Sequence, residues 1–282
     1  MKPRWMCLYW ILAAVLFAAA TGYAIHSHRT GIKDLSWNVC FQVARNLGKD
    51  IASLTTNDLV AVKRLGLSDA TVPILTLPSS LDGFDLFVPR KKATITDSDL
   101  RHLEELSALE DLYLSGKQVT DAGLEHLEKL SALHKLSLRK TQASDATVNL
   151  LAKLASLQEL DLSETRVTDA GLAQVAKLSA LQELLLAETR VTDIGLQHLT
   201  KLPALQALVL SQTLVTDEGL QHIEKLSSLK HLDLSKTRVT DTGLKHVEKL
   251  LALQLLNLTG TKVTDAGVKR LQEQMSKCEI IK

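Results

Sequence analysis

From residue 109 onward the apolar positions recur every 24 residues. Leu109, Leu133, Leu157, Leu181, Leu205, Leu229 and Leu253 open seven copies of one frame, with no insertion between them: L-x-x-L-x-L-x-x-T-x-V-T-D-x-G-L-x-x-L-x-x-L-x-x. The spacing changes character inside each copy. In the copy that opens at Leu229, Leu232 and Leu234 alternate as one face of a short strand does. Leu244, Val247 and Leu250 follow at i, i+3, i+6, which predicts a helix of about three turns. Between them Thr240-Asp241 offers side-chain oxygens to the free N–H groups of a helix start. Asp121, Asp145, Asp169, Asp193, Asp217, Asp241 and Asp265 form a ladder on this reading. Each is expected to cap its own helix, where the dipole favours negative charge. Gly123, Gly171, Gly195, Gly219, Gly243 and Gly267 are expected to let neighbouring copies approach closely.

One strand and one helix cannot enclose a core, but stacked copies can. Parallel strands pack about 4.8 Å apart, whereas helices need about 10 Å. The stack must therefore curve. The expected fold class is α/β: a horseshoe solenoid with a parallel sheet on its concave face and helices on its convex face.

The frame resembles the leucine-rich-repeat superfamily. Its V-T-D-x-G-L core is similar to the ribonuclease-inhibitor-like branch, to the repeats of F-box proteins and to simple bacterial envelope proteins built from such repeats. The resemblance implies a protein-binding role. Position 9 of the frame, often Asn or Cys in the superfamily, is Thr here in six copies and Lys117 in the first. No F-box pattern precedes the repeats.

Three units are expected along the chain. Residues 1–30 form a membrane segment: Lys2 and Arg4 precede an uncharged run from Trp5 to Ile25. Such a run is long enough to cross a ~30 Å hydrocarbon layer. Ala18-Ala19-Ala20 is a possible cleavage site, so secretion after cleavage is the alternative to a single-pass anchor. Residues 31–84 are expected to cap the solenoid, with an amphipathic helix over 34–47, a degenerate helix through Leu59, Val62 and Leu65, and a loop inserted around 68–84. Residues 85–282 hold the repeat domain. A degenerate copy comes first, with an irregular strand near 85–90 and a helical half over 91–106. Ile280 falls on position 4 of a further copy, which predicts a last strand.

Composition narrows the functional classes. Leucine accounts for 57 of 282 residues, as a repeated core demands. Lys plus Arg is 33 against 32 for Asp plus Glu, a net of +1, which argues against a nucleic-acid partner. Cys7, Cys40 and Cys278 are too few for a disulfide scaffold or a zinc module. In an exported protein Cys40 and Cys278 are each a candidate intermolecular thiol.

No nucleophile motif, phosphate loop or metal-ligand spacing is present. The expectation is no enzyme, no cofactor and no metal. His102, His126, His198, His222 and His246 share position 18. Helices about 10 Å apart cannot easily share one metal that needs nitrogens at about 2 Å, so the ladder reads as a tolerated flank residue.

The candidate site is the concave face. Strand positions 3 and 5 and turn position 10 should point outward. They place an apolar group, Leu185, Ala207, Val209 and Leu214, in the fourth and fifth copies. Tyr113, Asp161, Glu183, His231 and Asp233 lie around it, with Glu159, Glu164 and Glu188 adding acid on one side. An apolar centre rimmed by charge is what a protein interface looks like. The expected function is a non-enzymatic, membrane-anchored module that binds a protein partner there, outside the cytoplasm. The alternatives are a structural envelope component that self-associates or binds wall polymer, and a ubiquitin-ligase-type substrate receptor.

Overall fold

The computed structural model describes residues 63–68 and 95–282. The membrane segment, the helix expected over 34–47, the strand expected near 85–90, Cys7 and Cys40 lie outside the described residues. Among those described, nine strands form one sheet in chain order, every neighbouring pair parallel. They are β1 (Arg64–Ser68), β2 (Asp111–Ser115), β3 (Lys135–Ser137), β4 (Glu159–Asp161), β5 (Glu183–Leu185), β6 (Ala207–Val209), β7 (His231–Asp233), β8 (Leu255–Asn257) and β9 (Glu279–Ile281). The helices are α1 (Asp97–Leu100), α2 (Asp121–Leu124), α3 (Asp145–Leu151), α4 (Asp169–Val175), α5 (Asp193–Leu199), α6 (Asp217–Ile223), α7 (Leu244–Val247) and α8 (Asp265–Gln274).

Register follows the frame. Leu112, Leu136, Leu160, Leu184, Leu208, Leu232, Leu256 and Ile280 stand side by side across β2 to β9. The apolar residues at positions 1, 4, 6, 11, 16, 19 and 22 merge into one continuous core with almost no exposure. The last strand appears where Ile280 predicts it.

The helices are shorter than three turns. Most run four to seven residues, with 3₁₀ segments after α1 and α2. The position-22 leucine lies beyond the helix, in a tight turn whose amide bonds three residues back, as Leu226 does to Ile223. A 24-residue copy must also return to the sheet, so its apolar i, i+3, i+6 pattern outruns the helix.

The neighbour of β2 also differs from expectation. Leu65 belongs to a strand rather than to the end of a helix: β1 pairs with β2, Leu65 beside Leu112 and Leu67 beside Leu114. Arg64–Ser68 carries the same L-x-L alternation as positions 4 to 6. Ile95-Thr96-Asp97 supplies positions 11 to 13 of that copy, so 27 residues separate Leu67 at position 6 from Ile95 at position 11, where a regular copy has four.

The aspartate ladder does not work as read. The N-caps are the residues before the aspartates: the hydroxyls of Thr120, Ser144, Thr168, Thr192 and Thr216 each accept the amide two residues on. Each aspartate reaches forward into the next copy. Asp169 Oδ1 accepts the Thr192 amide at 2.8 Å, and its Oδ2 accepts the Thr192 hydroxyl at 2.6 Å. The same pair of bonds joins Asp97 to Thr120, Asp121 to Ser144, Asp145 to Thr168, Asp193 to Thr216, Asp217 to Thr240 and Asp241 to Thr264. The cap hydroxyl thus accepts from its own helix and donates to the previous copy. Asp265, in the last copy, meets Lys282 instead.

This clasp dictates the glycines. A Cβ at Gly195 would stand 2.4 Å from Asp169 Oδ1 and 3.0 Å from Leu172 Cδ1. One copy carries Thr147 at that position, and its hydroxyl donates to Asp121 Oδ1. Burial pushes the Asp121 carboxyl pKa up, but the donors from Ser144 and Thr147 outweigh it and hold it below the usual value.

Gly195→Val is therefore expected to destabilise the chain by about 1–3 kcal/mol through overpacking. Gly195→Thr should cost less, because its hydroxyl can reproduce the Thr147 bond. Urea unfolding of the two variants checks the order; equal losses would show that the carboxylate is not the obstacle.

Candidate interaction surface

The face of the sheet away from the helices is built from positions 3 and 5. Two ladders cross it. The first runs Tyr113, Ser137, Asp161, Leu185, Val209, Asp233, Asn257, Ile281. The second runs Asp111, Lys135, Glu159, Glu183, Ala207, His231, Leu255, Glu279. Leu185 and Val209 are direct neighbours, half-buried, with Asp161 and Asp233 on either side. Ala207 lies beside exposed Glu183 and exposed His231. Leu214, in the turn after β6, is 47% exposed. Tyr113 is 47% exposed but does not join the group: Ser137 and Asp161 separate it from Leu185. That is three strand spacings, roughly 14 Å.

The acidic flank is largely neutralised. Glu159 pairs with Lys135, and this carboxylate raises the Lys135 pKa. Glu164 accepts Arg139 Nε and Nη2 at 3.0 and 2.9 Å and lies 3.6 Å from Lys140, and it raises the Arg139 pKa. Glu188 accepts Gln212 at 2.9 Å. Asp161 and Asp233 are engaged locally: each Oδ1 accepts the amide two residues on, Ser163 at 2.9 Å and Ser235 at 2.8 Å. Asn257 does the same for Thr259 at 3.0 Å. Glu183 alone of the named acids has no ion pair and accepts no hydrogen bond at its carboxylate among the described residues.

The turn beyond this face is strained in a regular way. Lys140, Glu164, Glu188, Gln212 and Lys236 all hold φ between 56° and 63°. The threonine that follows each one, Thr141, Thr165, Thr189, Thr213 and Thr237, donates its hydroxyl to the carbonyl three residues back, at 2.6–2.7 Å. Position 9 therefore closes its own turn. It does not form a ladder between copies.

The histidines on the opposite side are partly ion-paired. His126 Nδ1 lies 2.6 Å from Glu104, which also meets Lys129. His246 Nδ1 lies 2.7 Å from Glu224, which also meets Lys249 at 2.8 Å. No group of three His, Cys, Asp or Glu side chains is placed for a metal among the described residues. Cys278 is buried, and burial raises its thiol pKa, which removes it as an intermolecular thiol.

A parallel sheet backed by short helices, copy after copy, defines a solenoid. A family model described as "Leucine Rich repeat" matches residues 153–176 and 225–246. Internalin C2 of Listeria monocytogenes shares the fold, with a TM-score of 0.62 at 23% identity over 87% of this chain and 92% of that one. A leucine-rich-repeat protein of Leptospira interrogans aligns at 22% identity and a TM-score of 0.47, over 66% of this chain and 51% of its own. A search of curated proteins found no match.

Lys249 and then His246 hold the Glu224 carboxyl down to about 2, against an ordinary 4.5. A depressed acid stabilises the fold above its unfolded pKa and loses that contribution as pH falls through its folded one. Glu224→Gln should lower the urea midpoint at pH 7, and the gap to wild type should close between pH 4.5 and about 2. A gap independent of pH would assign the effect to packing.

Proposed function

We propose that this chain is a non-enzymatic, membrane-anchored binding module. Residues 5–25 hold it to a membrane, and the repeat domain, outside the cytoplasm, binds a protein partner on the sheet face. Leucine-rich repeats are protein-interaction modules, and solenoids generally bind through their concave surface. The observation that carries the reading is the Leu185–Val209 pair: two adjacent apolar residues in a ladder otherwise occupied by Ser, Asp and Asn at its centre. Apolar contact there supplies affinity, and the polar residues around it set orientation.

A second reading has its own support. Leu251 and Ile281 are 92% and 42% exposed. Exposed apolar side chains of this kind favour self-association, as a structural envelope component would use.

Crosslinking and pull-down from the native membrane fraction separates the two. Wild type should recover a partner that the folded Leu185→Lys, Val209→Lys variant loses. Recovery of only further copies of the chain, with both forms alike, would contradict the sheet-face reading and support the second.

A further inference from the structure

Position 5 has a second role besides facing solvent. In four strands its side chain accepts the amide N–H two residues later. Ser137 takes Arg139 at 3.4 Å, Asp161 takes Ser163 at 2.9 Å, Asp233 takes Ser235 at 2.8 Å and Asn257 takes Thr259 at 3.0 Å. In β5 and β6 that residue is Leu185 or Val209, and neither can accept. The amides of Ala187 and Ser211 have no hydrogen-bond acceptor among the described residues. The two fall in consecutive copies, exactly where the apolar pair sits.

The register holds beyond the strands. Leu186 donates to the Val209 carbonyl at 2.9 Å and Glu188 to the Ser211 carbonyl at 2.9 Å. The open amides therefore stand about one strand spacing apart, roughly 4.8 Å. Where position 5 is acidic, its carboxylate reaches this amide from the solvent face, so the same approach is open in β5 and β6. The turns on this edge add positive charge. Arg166, Arg190 and Arg238 at position 10 are exposed, and none has an ion pair among the described residues.

Resting on the sheet-face reading above, we infer that the partner inserts a carboxylate between the amides of Ala187 and Ser211, next to an apolar side chain laid over Leu185 and Val209. The occupant is a protein segment with Asp or Glu beside Leu, Ile or Val. A carboxylate has two acceptor oxygens and can take both N–H groups at once. It replaces, in trans, the acceptor that Asp161 and Asp233 supply in cis, and the unpaired arginines reinforce the preference for an anion.

The test uses the full ¹⁵N-labelled chain and two probes, acetyl-Val-Leu-Asp-Leu-Val-amide and its Asp→Asn counterpart. The Asp peptide should shift the Ala187 and Ser211 amide resonances downfield. It should bind roughly tenfold more tightly than the Asn peptide, as a charge-assisted acceptor does over a neutral one. Leu185→Asp, Val209→Asp fills both positions with the residue native to β4 and β7, so it should fold and lose the shifts. Equal binding of the two peptides, or unmoved amides in the presence of either, would overturn the inference. If Leu185 methyl signals move while the amides do not, the carboxylate is wrong and the sheet-face reading stands. A pull-down indifferent to Leu185 and Val209 would instead remove that reading itself.

Discussion

Each copy from Asp97 to Asp241 is held to the next by one carboxylate. Asp169 binds the amide and the hydroxyl of Thr192, and six more aspartates from Asp97 to Asp241 do the same one copy on. Charge-assisted hydrogen bonds of this kind are roughly twice as strong as neutral ones. The clasp fixes the distance from each aspartate to the following cap residue, which is why the regular copies share one length. It also places an oxygen where a Cβ would go, so position 15 is Gly or, once, a hydroxyl donor. The 27 residues between Leu67 and Ile95 lie before Asp97 and so upstream of the first clasp.

With core, caps and clasps assigned, positions 3, 5 and 10 are left to vary. Position 5 is not entirely free. Asp, Asn or Ser closes the turn behind the strand, whereas Leu185 and Val209 leave it open. Apolar surface and unclaimed backbone donors therefore arise together, from the same two substitutions. The acids beside them are mostly consumed by Lys135, Arg139 and Gln212, which leaves Glu183 on one edge and the position-10 arginines on the other.

The period, the core and the parallel sheet were legible because a 24-residue repeat puts the same apolar residue in the same place seven times. The direction of the clasp was not. Asp169 follows Thr168 by one residue and precedes Thr192 by 23, and a perfectly periodic sequence looks the same whichever threonine it serves. Leu65 was ambiguous for a related reason: it belongs both to an i, i+3, i+6 set with Leu59 and Val62 and to an alternating pair with Leu67, and only pairing with β2 decides between them. The apolar patch was visible residue by residue, but Tyr113 falls outside it because strand order, not sequence content, sets the distance. The open amides at Ala187 and Ser211 were encoded in the change from Asp to Leu and Val. Reading them required knowing that position 5 bonds two residues ahead.

Amide hydrogen exchange on the full chain tests this account most directly, because it reads the clasps and the open turns in one experiment. The Thr168, Thr192, Thr216 and Thr240 amides should exchange as slowly as core strand amides. Ser163 and Ser235 should be protected by their aspartates, and Ala187 and Ser211 should exchange far faster than either. Fast exchange at the threonines, or equal protection of Ser163 and Ala187, would contradict it.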